Sequence, residues 1–150
     1  MTREFDSLMI RTLLGPIVAS LQLFALYVVI HGHDSPGGGF QGGALLGSSL
    51  VLPMLVHGRK PSRRFFVLSE SSAAVLSAAG VFLYAAVGIT AVFQGEQMLD
   101  YRALPLGGLG PADRRHYGIL AIELGVTLAV AGAVVSIIYT LYDFAREERD

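Results

Sequence analysis

Cysteine and tryptophan are absent from this chain, and charge is scarce: Asp, Glu, Lys and Arg together make up 15% of its 150 residues. Without cysteine there is no disulfide, no thiolate metal site and no cysteine nucleophile. Without tryptophan, any aromatic belt at a membrane boundary falls to Tyr and Phe. A soluble domain carries roughly 25% charged residues because its surface must face water, so the shortage points to lipid as the outer solvent. Hydrophobic residues supply 53% of the chain and the mean hydropathy is +0.56. The net charge of −1 gives no argument for a nucleic-acid partner. Also missing are a nucleophile elbow, a phosphate loop and paired carboxylates, so the chain is not expected to be an enzyme acting alone. The first six residues mix both charge signs. The apolar run after them is too long for a signal-peptide core and lacks a clear small-residue cleavage site, so it is expected to be retained.

Crossing the hydrocarbon takes about 20 mostly apolar residues in a helix, and four stretches meet or approach that need, at about 8–30, 40–56, 71–93 and 117–142. The first holds Pro16, Gln22 and one charge, Arg11. The second is short and carries Pro53, and the fourth holds one charged side chain, Glu123. Lipid cannot satisfy backbone polar groups, so such spans must be helical. A buried soluble bundle would need polar faces recurring every 3.6 residues, whereas the third and fourth segments are apolar all round. The expected fold is an all-α integral membrane protein of four transmembrane helices in a single membrane domain, 1–150. Arg3, Arg11, Arg59, Lys60, Arg63, Arg64, Arg146 and Arg149 share one side of such a fold, and Arg102, Arg114 and Arg115 the other. Basic residues favour the cytoplasm, so both termini are expected there. The basic connection at 57–64 reads first as a topology anchor, with a lipid-headgroup or partner patch as the rival.

Between the first two spans lies a connection rich in glycine, from His31, His33, Asp34 and Pro36 through Gly37, Gly38, Gly39, Phe40, Gln41, Gly42 and Gly43. Pro36-Gly37 starts a turn, since Pro presets φ and Gly accepts positive φ without strain. Gly39, Gly43 and Gly47 recur every four residues and form a smooth stripe on a helix that begins near Phe40, which lets another helix approach closely. Gly37-x-Gly39-x-x-Gly42 fits the dinucleotide-binding fingerprint letter for letter. That fingerprint requires a preceding strand and an acid about 20 residues on, and neither is present. His31, His33 and Asp34 invite a metal or proton-relay reading. Residues two apart do not share a helix face and no further ligand cluster is visible, so no metal site or cofactor is expected. Proton handling at the membrane rim and plain capping of the first helix both stay open.

An ionisable residue inside a span is costly and marks a functional candidate. Glu123 falls on the outer half of the bilayer by the orientation above, the side that also holds the glycine-rich connection, so the two are expected to be neighbours. Gly118, Ala121, Gly125, Ala129, Gly132 and Ser136 form a small-residue face on the fourth span. Gly125 lies about 160° round from Glu123 at 100° per residue, and Thr127 shares the Glu123 face. Neither face suits bare lipid, so protein is expected on both. Gly80, Tyr84 and Gly88 in the third span suggest packing alone. The connection at 94–116, rich in Pro, Gly and Leu, reads as a loop lying against protein or membrane.

The run from Leu26 to Gly43 resembles the B subunit of the multisubunit Na+/H+ antiporters (the Mrp or Mnh type). That family has a tyrosine-containing first helix, His-Gly-His with Asn or Asp, and Pro-Gly-Gly-Gly-Phe-x-Gly-Gly. Ile122-Glu123-Leu124-Gly125-Val126 is similar to the family's acid-x-Gly-Val start to the last helix. The match carries over His33, Pro36, Gly37, Gly38, Gly39, Phe40, Gly42, Gly43, Glu123 and Gly125, with Asp34 standing where Asn is common. The resemblance implies a multi-pass protein of the bacterial cell (inner) membrane. It would have no transport activity by itself and would assemble with other membrane subunits in a hetero-oligomeric complex exchanging Na+ for H+. There it would line or support the ion path, with Glu123, His33, Asp34 and His31 as the pathway candidates. The alternatives are the homologous subunit of a membrane-bound hydrogenase-like redox pump, a packing subunit with no ion path, and a self-contained channel.

Overall fold

The computed structural model describes residues 8–32, 37–58 and 68–147. His33, Asp34 and Pro36, and the basic residues at 59–64, lie outside the described residues. The described chain forms four helices: α1 (Leu8–Ile30), α2 (Gly38–His57), α3 (Glu70–Phe93) and α4 (Pro111–Glu147), with one 3-10 turn, Tyr101–Ala103, before α4. All four helices are long and apolar enough to cross a membrane. Large side chains line the outside: Phe82 is 75% exposed, Leu23 70% and Val75 68%. Patches of this kind cover a water-facing monomer only rarely, whereas lipid solvates them without cost. In α3 the buried positions are Ala73, Gly80, Gly88 and Ala91, so small residues face protein and bulky ones face outward.

The helices pack in the order α1, α2, α4, α3. A Cβ built on Gly42 would press on Val29 and on Ala25 O of α1, which joins the antiparallel pair α1 and α2. The stripe of Gly39, Gly43 and Gly47 lies on α4. Cβ atoms there would meet the Glu123 backbone, Thr127 O at 2.8 Å, and Ala131 Cα at 3.2 Å. Four residues along α2 thus match four along α4, and the two helices run parallel in step. The opposite side of α4 meets α3 as closely. A Cβ on Gly80 would lie 2.5 Å from Gly125 O, and one on Gly125 would lie 2.9 Å from Gly80 O. Ser77 donates its hydroxyl to Ala129 O at 3.0 Å. Without a hydrophobic drive between helices in lipid, close backbone approach and such hydrogen bonds supply the association.

At the far end from the glycine-rich connection, Leu50, Val51 and Met54 of α2 cluster with Ala73 of α3 and with Val135 and Tyr139 of α4. Ser69 caps α3 by accepting from Ser72 N at 3.1 Å. Pro53 sits inside α2 without ending it. It lacks the N–H that would bond one turn back, yet the helix continues to His57 because its flank is buried in this cluster.

α4 differs from the expected span of 117–142: it has 37 residues, roughly 55 Å at 1.5 Å each, against about 30 Å of hydrocarbon. Apolar composition marks only the part in lipid, and the polar ends continue the helix beyond it. Pro111 opens it at the first helical position, where the missing N–H costs nothing, and Arg114 N bonds back to Gly110 O at 3.0 Å. The connection at 94–116 is therefore shorter than the sequence suggests and contains a 3-10 turn. Asp100 starts that turn by accepting from Arg102 N at 3.0 Å.

Candidate functional site

Glu123 reaches the junction where α1 ends and α2 begins. Two glycines, Gly32 and Gly38, lie against its carboxylate. A Cβ on Gly32 would come within 2.5 Å of Glu123 Oε1, and one on Gly38 would lie 2.5 Å from the same oxygen and 2.9 Å from Cδ. These two glycines make the room the carboxyl group occupies. Gly37 (φ 137°) and Gly38 (φ 44°) have positive φ, a conformation glycine adopts without the steric penalty of a Cβ. The chain turns at these two residues and enters α2. The acid thus lies beside the first turn of α2, the end at which aligned peptide dipoles favour negative charge.

Thr127, 4% exposed, ties the same contact one turn deeper. Its hydroxyl donates to Glu123 O at 2.7 Å and is shared with Gly39 O at 3.2 Å. The neighbourhood of Glu123 and the glycine-rich connection, expected from their shared side of the fold, is what the structure shows. Gly125 faces α3 instead, so it belongs to the other face of α4. Phe40 is 65% exposed.

His31 is exposed at the end of α1. Its Nδ1 donates to Tyr27 O at 3.0 Å, and its ring stacks on Tyr27 with centroids 4.2 Å apart. That hydrogen bond occupies a carbonyl of the last turn, as a C-terminal cap does, and it fixes the ring with Nδ1 protonated. Among the described residues no three His, Asp or Glu side chains gather. Gly32 and Thr127 were not among the candidates drawn from the sequence. The signal for Thr127 was its place on the Glu123 face. Gly32 had none beyond its place between two histidines. Near the start of α4, Gly118 lets the 3-10 turn lie flat: its Cβ would come 2.8 Å from Tyr101 Cβ and from Leu104 Cδ1. Burial, with Tyr84 beside it, holds the Tyr101 hydroxyl above the usual phenol range, so it stays neutral.

Four helices long and apolar enough to cross a membrane define a multi-pass membrane protein. A family model described as a domain related to the MnhB subunit of Na+/H+ antiporter matches residues 9–136, and the chain belongs to that family. It is 32% identical over 146 residues to the B subunit of the Na(+)/H(+) antiporter of Bacillus subtilis (strain 168), covering 93% of this chain and 95% of that one. To a putative antiporter subunit mnhB2 of Staphylococcus haemolyticus it is 29% identical over 140 residues, 91% and 94% of the two chains. The same subunit of Staphylococcus aureus (strain Newman) is 26% identical over 141 residues, again 91% and 94%.

Proposed function

We propose that this chain is a small membrane subunit of a hetero-oligomeric Na+/H+ antiporter in the bacterial cell membrane, and that Glu123 belongs to the path taken by protons or Na+. The membership of the family and the names of its relatives support the first part. The second part rests on one observation: the only Asp or Glu inside the apolar part of a span lies against Gly32 and Gly38, the two flanks of the connection that carries His33 and Asp34. An ionisable group inside a span is costly, which makes Glu123 a functional candidate. Both termini face the cytoplasm on this reading, following the eight basic residues on that side. The remaining subunits supply the main channels, and this chain lines or braces the cation-handling end.

The test has two arms. Pull-down of the tagged chain from its native membrane in mild detergent identifies its companions. Antiporter-like membrane subunits support the assignment, metal-cluster subunits move the chain to a redox pump, and recovery of the chain alone removes the subunit reading. Glu123→Gln then keeps the shape and deletes the charge. Intact assembly with Na+-driven proton movement in inverted vesicles lost supports the path, and unchanged exchange removes Glu123 from it.

A further inference from the structure

A second charged feature lies at the start of α4, before the turn that carries Glu123. Ala112, Arg115, His116 and Ile119 recur at helical spacing and share one face of α4; with Pro111 and with Arg102 of the 3-10 turn they line a groove of about 730 Å³. Its position is built into the fold. Gly118 allows Tyr101 and Leu104 to sit directly on α4, which fixes Arg102 across from Arg115. Three of the six lining side chains are basic and none is acidic. Neither the Arg102 nor the Arg115 guanidinium joins an ion pair or hydrogen bond with any described residue. The other wall is apolar, from Ala112 to Ile119, where the apolar stretch of α4 begins.

A cationic rim above an apolar wall, at the depth where a helix enters lipid, matches one ligand in both halves: a phosphate head on an acyl chain. We infer that this groove binds an anionic phospholipid, with Arg102 and Arg115 on the phosphate, His116 beside it, and the acyl chain running down past Ile119. A soluble anion would use the charge and leave the apolar wall bare. An acidic segment of another subunit would meet the rim alone. Hydrogen bonds from a guanidinium to a phosphate are the strong, charge-assisted kind, so removing both guanidinium charges lowers affinity at least about 10-fold.

The full chain, purified with the subunits that accompany it, is delipidated and offered phosphatidylglycerol, phosphatidylcholine or inorganic phosphate. Lipid retention is read by native mass spectrometry. The inference requires phosphatidylglycerol to be retained over phosphatidylcholine. It also requires Arg102→Gln with Arg115→Gln to lose that retention, and Arg146→Gln, at the other end of α4, to keep it. Should the double variant fail to assemble, Arg102→Lys with Arg115→Lys keeps the charge and must keep the lipid. Equal retention of both lipids, an unaffected Gln variant, or displacement by inorganic phosphate alone overturns the inference.

Discussion

Replacing Gly39 by alanine tests the packing that holds the acid in place. The new methyl carbon would meet Glu123 O, lie 2.9 Å from Glu123 Cα and 3.0 Å from its carbonyl carbon. All three are backbone atoms of a helix packed on both sides, so no side chain can swing away. Ordinary carbon contacts sit at about 3.5–4.0 Å, so α2 must retreat by roughly 0.5–1 Å, which forfeits a quarter to a half of the dispersion energy along the stripe. Overpacking of this type costs about 1–3 kcal/mol, against roughly 1 kcal/mol regained from alanine's better helix propensity. Gly15→Ala provides the control, because a Cβ there meets nothing within 4 Å; it is expected to be neutral or slightly stabilising. The measurement is the thermal midpoint of the detergent-purified assembly. A chain of this size moves about 2–4 °C per kcal/mol, so Gly39→Ala should melt several degrees below Gly15→Ala. Equal midpoints would refute the close approach of α2 to Glu123.

Two further substitutions address the rest of the bundle. Tyr139→Phe removes the hydroxyl that donates to Leu68 O at 2.9 Å across 71 residues; a loss of about 1–2 kcal/mol is expected, read as a lowered midpoint with exchange retained. Ser136→Ala goes the other way. Its Oγ is buried with no hydrogen-bond partner among the described residues, so the change should be neutral or stabilise by up to about 1 kcal/mol, and a clear loss of stability in the assembled complex would show that another subunit reaches this hydroxyl.

The spans were readable because lipid removes ambiguity: four apolar stretches must be helices, and their edges follow from where apolarity ends. The same rule marks a span inside α4 and says nothing of where the helix itself ends. Residues 111–116 and 143–147 are polar, and their helicity rests on Pro111 at the first position and on backbone continuity, which leave no apolar trace. The Gly39, Gly43 and Gly47 stripe was legible as a contact surface because four-residue spacing places glycines on one face. Its partner was not, since every helix here offers small residues and composition cannot set the offset between two of them. Glu123 stood out by cost alone. That it would lie near the glycine-rich connection was legible too; that Gly32 and Gly38 make its room was not, because a glycine announces what it permits and not which atom takes the space.

Small residues bring α4 close to α3 on one side and to α2 on the other, and this constrains the acid it carries. Gly125, Ala129 and Gly132 fix one side of the helix on α3, while Gly39 and Gly43 fix the other on α2. With backbone against backbone on each side, α4 has little freedom to rotate, and packed interiors transmit strain instead of absorbing it. Glu123 is therefore aimed toward the end of α1 and the start of α2, about 160° away from the α3 side. On the proposed reading a path through this carboxyl group runs along the α1 and α2 side of the bundle. Enlarging Gly80 or Gly125 should then cost stability without blocking that path, whereas enlarging Gly32 or Gly38 fills the carboxyl group's own space. Alanine at Gly80 and at Gly38 can be compared at matched assembly levels: exchange per complex should survive the first and fall in the second, and the reverse order would place the path on the α3 side.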